Sequence, residues 1–259
     1  WNVALGPCLK NSNQIVNFIN NRYIQWRLNS GCCLLHAAAV EVGGHGAGLC
    51  GFSGMGKSTL SLHLMSRGAD FISNDRLMIK KSGRGLQMFG VAKLPRINPG
   101  TVFGNPDLTP VISANERKKF SRLPIDELWT LEHKYDVHIE NIYGLDRFKL
   151  ASQMTALVIL NWKRNGRPMQ LKEVDLKKRK DLWAAFMKDA GLFYQPDHPD
   201  YFSKFATPDA YLDHLKLCKV YELSGGVDFN AAAGAIWNIL KSNNQGGNHV
   251  GSRRQIRRN

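Results

Sequence analysis

"GLCGFSGMGKSTLSLHLMSRGADFISND", residues 48–75, opens as a glycine-rich turn, runs through one helix length and ends on a lone aspartate, Asp75. Within it "GFSGMGKS", Gly51 to Ser58, fits G-x-x-x-x-G-K-[ST]. Glycines at 51, 54 and 56 let a backbone fold around a phosphate without Cβ clashes. The amides of residues 54–58 can then face an anion at a helix N-terminus, where the dipole favours it. In that pattern Lys57 reaches the β and γ phosphates and the Ser58 hydroxyl ligates Mg²⁺. "LCGF" reads as a strand before the loop, and "STLSLHLMSR" as a helix after it that stops at Gly68. A chance glycine-rich turn is the competing reading, and the complete pattern between a strand and a helix argues against it. The expectation is a nucleoside triphosphate site made of Gly51, Phe52, Ser53, Gly54, Met55, Gly56, Lys57, Ser58 and Thr59.

Geometry then brings other residues to the loop. A helix from Lys57 to Arg67 carries the chain about 16 Å away at ~1.5 Å per residue. An extended return over residues 69–75 covers about 20 Å at ~3.3 Å per residue, which brings Asp75 back level with the loop. Upstream, "LLHAAAVEV" followed by the turn signal "GGHGAG" predicts a hairpin that runs into the loop. A turn centred near Gly44–His45 sets His36 opposite Ser53 or Gly54. Each residue alone also fits a structural role, Asp75 as a turn or capping aspartate and His36 as a hydrogen-bonded strand histidine. Only "DFI" precedes "SND", a shorter apolar run than the one before the metal-binding aspartate of ordinary phosphate-loop ATPases. The convergence of His36, Lys57 and Asp75 on one site is what points to function.

The remainder of the chain sets bounds. Its 259 residues, 43% hydrophobic and 22% charged, suit a globular α/β domain able to bury a core without disulfides. Five cysteines, Cys8, Cys32, Cys33, Cys50 and Cys218, show no C-x-x-C spacing, so neither a disulfide framework nor a zinc site is expected. Reduced thiols in a cytoplasm are the expectation. No run nears the ~18 apolar residues of a membrane span, and no signal peptide is evident. A net charge of +14 is compatible with nucleic acid, anionic membranes or phosphorylated small molecules. The clusters "NERKKFSR" and "DLKKRKDLW" also read as solvated faces.

Along the chain, residues 1–30 are expected to be a helix-containing lead-in, "NQIVNFINNRYIQW", left from a longer N-terminal region since the chain begins at Trp1. Residues 31–241 form the ATP-binding domain, and 242–259 a basic disordered tail. "ADFIS", "MTALVILNW" and "KVYELSG" read as strands, and residues 80–125 as strands and loops. "DELWTLEHKYDVHIENIYG" reads as helical in part, "KRKDLWAAFMKDAG" as an amphipathic helix ending at Gly191, and "FNAAAGAIWNIL" as a closing helix. Asn165–Gly166 marks a turn into the next strand.

From His36 to Arg76 the sequence resembles the kinase domain of bacterial HPr kinase/phosphorylase, and most closely the HPr-kinase-related proteins. There a strand histidine, glycine hairpin, phosphate loop, single helix and "DDR" follow at the same spacings. "LPRINPGT" at 94–101 and "VYELSGGVDFNAAAGAIWNIL" are also similar to stretches in that group. The resemblance implies a phosphate-loop kinase core related to phosphoenolpyruvate carboxykinase, a mixed sheet with flanking helices, and ATP-dependent phosphorylation of a serine hydroxyl. By position it implies that Lys57 contacts the nucleotide phosphates, Ser58 binds Mg²⁺, Asp75 is the base and His36 is the active-site histidine beside it. Two departures stand out. The first aspartate of "DDR" is Asn74, and the family's metal-binding glutamate has no counterpart, with "PRINPGT" offering Arg96 and Asn98. The absence of that glutamate-bearing loop, part of the signature of true HPr kinases, argues against HPr as the substrate and against the reverse phosphorolysis.

The leading expectation is a kinase using ATP and Mg²⁺ on a hydroxyl-bearing acceptor, a protein serine or a small molecule. Asp75 would be general base or, through water, a metal ligand with Ser58. The alternative is a nucleotide-dependent switch protein without transfer activity, motivated by Asn74 and the missing glutamate. Nucleic-acid binding ranks last because no reading motif accompanies the charge. Relatives form hexamers, so the resemblance also implies a homo-oligomer.

Overall fold

The apolar run after Gly31 does not form one strand. It forms β1 (Cys33–Leu35) and β2 (Ala37–Val42), interrupted at His36, whose amide donates to the Phe186 carbonyl at 2.9 Å instead of to a ladder partner. The structure is a computed structural model that describes residues 2–191, 194–195 and 204–247. The other main strands are β3 (His45–Gly51), β4 (Asp70–Ser73), β5 (Leu77–Ser82) and β6 (Gly85–Phe89). A small separate ladder pairs β7 (Arg96–Ile97) with β8 (Tyr135–Asp136). β9 (Ala151–Leu160), β10 (Met169–Glu173) and β11 (Lys219–Gly225) complete the set.

β1 pairs β5, β5 pairs β6, β6 pairs β9, β9 pairs β3, β3 pairs β2 and β2 pairs β4. β3 and β11 run parallel to β9 while the hairpins are antiparallel, so the sheet is mixed. Its two ends are joined by chain: β1 leads into β2 through His36, and β4 into β5 through residues 74–76. Leu35 opposes Leu77 and Ala39 opposes Ser73, four residues on in one strand and four back in the other. The two pairings are thus one antiparallel ladder bent at a corner, and the sheet curls round on itself.

Both faces are buried, as the near-continuous apolar strands require. Ala38, Val40 and Leu49 pack under α2 (Lys57–Met65) and the helix Phe229–Gly247, against Leu60, Leu64, Ile236 and Leu240. Ala37, Ala39 and Cys50 face the other way, into a core with Leu157, Ile159, Phe186 and Tyr211. The alternation is the two-residue period of a strand. α1 (Ser12–Asn29) docks through Ile24 and Leu28 onto Leu34, Met78 and Val91. Among the described residues no helix is long and apolar enough to cross a membrane, and none of the five cysteines is in a disulfide.

Several expectations need correction. The hairpin turn is Gly43–Gly44, both at positive φ (+58° and +84°), as a two-residue turn of matching twist requires. Val42 therefore opposes His45 and Ala37 opposes Cys50, so His36 does not stand opposite Ser53 or Gly54. Residues 80–125 contain helices as well as strands: α3 (Pro99–Gly104), a 3₁₀ segment Pro106–Val111, and α4 (Ala114–Phe120). α4 starts at a reciprocal Ser113–Glu116 capping box that the sequence displays. "DELWTLEHKYDVHIENIYG" divides into α5 (Ile125–Thr130), β8 and α6 (Ile139–Tyr143). The amphipathic helix expected to end at Gly191 is a single 3₁₀ stretch, Lys180–Ala185. Arg179 is tied to Asp181 at 2.7 Å and to Glu222, and Met187 bridges to Leu35, which draws this segment onto the sheet corner. Asn165–Gly166 does form a turn ahead of a strand, Gly166 at φ +68° before β10, and that strand pairs β11. The last described helix continues to Gly247, into the stretch assigned to the tail, and the tail beyond it lies outside the described residues.

The helix Pro208–Leu215 anchors the corner from below. The buried Tyr211 hydroxyl bonds the carbonyl of Leu34 at 2.6 Å and that of Lys188 at 3.2 Å. Tyr211→Phe leaves buried carbonyls without that donor, so the denaturant-unfolding stability should fall by about 1–3 kcal/mol. An unchanged midpoint would show that the hydroxyl does not secure the corner.

Candidate nucleotide and phosphoryl-transfer site

The loop between β3 and α2 has its conformation written in its glycines. Gly56, the residue capping α2, sits at φ +88°, and a Cβ there would lie 2.6 Å from the Phe229 ring. Gly54, at φ +78°, has nothing within 4 Å on that side, so its open face is turned to the cleft. Both positions are left-handed, where an L side chain is strained. Trp162 donates from Nε1 to the Met55 carbonyl at 3.0 Å and clamps the loop from outside.

The Lys57 ammonium folds back over the loop, donating to the Gly51 carbonyl at 2.8 Å and the Phe52 carbonyl at 3.3 Å. Burial pushes its pKa down, with the thiol of Cys50 and the carboxylate of Asp75 pulling the other way. A partly desolvated cation is poised to gain from an anion. Ser58 donates from Oγ to Asn74 Oδ1 at 2.6 Å, which ties α2 to the corner. The Thr59 hydroxyl shares a hydrogen bond with Thr101 at 2.8 Å.

Around the loop lies a cleft of about 610 Å³, lined from Ser53 through Thr59. Lys57, Arg96, Lys134, Lys163 and Arg164 give it a cationic wall, while its Glu132 is paired with Lys134 at 3.2 Å. Aromatic residues form the other wall: Trp129 stacks near Phe229, and Arg164 lies 4.1 Å above the Trp129 ring. Gly51 and Phe52 do not line this cleft; their carbonyls hold Lys57. Asn98, at the start of α3, lines it and keeps a buried Oδ1 without a hydrogen-bond partner.

Asp75 stands at the corner. Its Oδ1 is 3.0 Å from His36 Nε2 and its Oδ2 is 3.2 Å from Arg76 Nε, with the Asp75 side chain 48% exposed. Ser73 Oγ, donating to the Arg76 carbonyl at 2.5 Å, closes the tight turn that carries it. The hydrogen bond from His36 holds the Asp75 carboxyl far below the usual carboxylate range, Arg76 assists, and burial opposes. The structure thus brings Ser58 to Asn74, and His36 to Asp75, side by side along three consecutive corner residues. It does not bring Ser58 and Asp75 into direct contact. Trp129, Phe229, Trp162 and Arg164 escaped the sequence reading, since they reach the cleft from elements remote in sequence and carry no local pattern.

No protein-family model matches the chain, and no curated protein matches it. Among solved structures, the Hpr(Ser) kinase/phosphatase from Coxiella burnetii is similar at 11% identity and a TM-score of 0.38, over 82% of this chain and 95% of that one. A likeness of that size carries no argument about activity; the geometry must.

Because the folded-state pKa of Asp75 is lowered, its contribution to stability is present above the ordinary carboxylate value near ~3.9 and is lost as pH falls below it. His36→Ala should therefore raise the Asp75 carboxyl pKa towards ~3.9, read by carboxyl-carbon NMR titration. A titration unmoved by the substitution would show that the pair is not coupled.

Proposed function

We propose that this chain is an ATP-dependent kinase that transfers the γ-phosphoryl group of ATP to a hydroxyl. The observation that carries the reading is the single hydrogen bond between Ser58 and Asn74, which holds the loop of Gly54, Gly56 and Lys57 against the corner bearing His36 and Asp75. In this reading the triphosphate lies on the loop amides and the N-terminus of α2. Lys57 leaves its two carbonyls to pair with the terminal phosphates, and the cationic wall holds the remaining charge. Trp129 and Phe229 offer apolar faces to the base or ribose.

Ser58 Oγ and Asn74 Oδ1 are hard oxygen donors 2.6 Å apart, of the kind that Mg²⁺ accepts together with substrate phosphates. Mg²⁺ held there would neutralise charge on the β and γ oxygens. Asp75, the next residue, would bear on it through water.

Asp75 is a carboxylate throughout the neutral range, which makes it a weak base and a good hydrogen-bond acceptor. Phosphoryl transfer runs through a loose transition state in which orientation of the attacking oxygen matters most. Asp75 accordingly accepts the hydrogen bond of the acceptor hydroxyl and aims its oxygen at the γ-phosphorus, taking the proton as the new bond forms. His36 fixes the carboxylate and stabilises its charge. The same weak basicity, with neutral Asn74 beside it, favours a second reading in which the chain binds nucleotide as a switch without transfer.

Two variants separate these. Lys57→Ala should abolish ATP binding while the fold survives, since Lys57 contacts only loop carbonyls; unaltered affinity would remove the nucleotide site. Asp75→Asn should bind ATP as well as the parent, with phosphoryl transfer reduced by about 10²–10⁴-fold. Transfer within a few-fold of the parent would remove Asp75 from the reaction, and no transfer by the parent to any acceptor would favour the switch.

A further inference from the structure

A second cleft of about 400 Å³ opens at the corner, between α1 and the Ser73–Arg76 turn. Its size falls within the roughly 300–1,000 Å³ of small-molecule sites. Asp75 stands in its wall. The opposite wall is a face of α1 carrying five carboxamides, Gln14, Asn17, Asn20, Asn21 and Gln25, around the apolar Ile24. A helix face three to four residues apart is ordinarily either apolar or charged, and five amides with no carboxylate or ammonium among them is a specific composition. Asn20 Nδ2 is buried among them without a hydrogen-bond partner. Of the two cations among the described lining residues, Arg76 is paired with Asp75 and Lys93 reaches the Asn17 oxygen at 3.5 Å.

We infer that this amide-lined cleft is the acceptor site, and that the acceptor is a small, uncharged, polyhydroxylated molecule such as a sugar or polyol. The inference rests on the kinase reading and supplies its substrate class. A carboxamide offers both a donor and an acceptor, the same pair that a hydroxyl offers, so a row of amides matches a row of hydroxyls in either hydrogen-bond direction. An acidic acceptor would call for unengaged cations, and a basic one for carboxylates; the α1 wall has neither.

The chemistry closes at Asp75. Each carboxylate oxygen has two lone-pair sites, so with His36 on one oxygen and Arg76 on the other, Asp75 still accepts from a hydroxyl presented by the cleft. That O–H gives its proton to Asp75 while its oxygen forms a bond to the γ-phosphorus. The bond from the γ-phosphorus to the β–γ bridging oxygen breaks, and the electron pair leaves with ADP. The products are a phosphate monoester, ADP and one proton released to solvent.

The test measures ADP release from Mg·ATP by the full chain with glycerol, myo-inositol or D-glucose, and with a serine-containing peptide, beside affinity for a fluorescent ATP analogue. The expected result is ADP release above the basal rate with at least one of the three polyols, and formation of its monophosphate. Asn20→Leu and Asn21→Leu should raise the KM for that polyol by about tenfold or more, as a lost hydrogen bond in a closed site does, with analogue affinity unchanged. Should a leucine variant lose analogue binding through misfolding, the smaller Asn20→Ser and Asn21→Ser changes make the same comparison. Analogue binding by the parent with no response to the three polyols, or transfer to the peptide alone, overturns the acceptor assignment and leaves the nucleotide site standing. Polyol KM unmoved by the variants overturns it too. Failure of the parent to bind the analogue overturns the kinase reading itself.

Discussion

Two paired strands cannot turn a sharp corner together without giving up ladder hydrogen bonds, and here the bend falls at His36 on one strand and at Asn74–Arg76 on the other. The groups released at the bend find partners outside the ladder. The His36 amide goes to Phe186, Ser73 Oγ reaches the Arg76 carbonyl, and the Val91 amide reaches Ser73 Oγ at 3.2 Å. Because buried backbone groups are nearly always paired, the backbone groups of the bend are taken up locally, and two side chains at the corner are left to pair with each other. Those are His36 and Asp75, facing each other at 3.0 Å. The curl of the sheet, the docking of the segment 186–188 and the placement of the carboxylate all follow from this one bend.

The corner also separates two clefts of different character. On the loop side the walls are cationic and aromatic, suited to a polyanion with an apolar end. On the α1 side the helix wall is amide-rich, and the facing turn carries the Asp75–Arg76 pair. The hydrogen bond from Ser58, which lines the first, to Asn74, which lines the second, links them. A neutral Asn74 at that boundary keeps negative charge away from Ser58, while the ionised Asp75 next to it is held by His36 and Arg76.

Much of this was legible in the sequence, for identifiable reasons. The loop, α2 and β4 are consecutive, so fixed rises per residue suffice to return the chain to its starting level, and Asn74 does meet Ser58. The hairpin was visible from its glycines, but its centre lay one residue from the expected place, and a one-residue change of centre moves the opposing partner by two. The break between β1 and β2 was not legible, because "LLHAAAVEV" is apolar throughout and only tertiary pairing with β5 on one side and β3 on the other divides it. The helix after residue 180 failed because Arg179 and Phe186 bind the sheet more strongly than the helical period of that segment holds together. The amide face of α1 was present in "NQIVNFINNRYIQW", yet its meaning depends on the cleft it faces, which comes from residues 73–76.

The central claim is that the corner carboxylate and the phosphate loop act on one bound triphosphate. A crystal structure of the chain with a non-hydrolysable ATP analogue and Mg²⁺ tests it most directly. The account predicts the triphosphate on the amides of Gly54–Ser58, Lys57 moved from the Gly51 carbonyl to the terminal phosphates, and the γ-phosphorus pointing towards Asp75 with the amide-lined cleft beyond. A triphosphate bound elsewhere, or a γ-phosphate directed away from the His36–Asp75 corner, would contradict it.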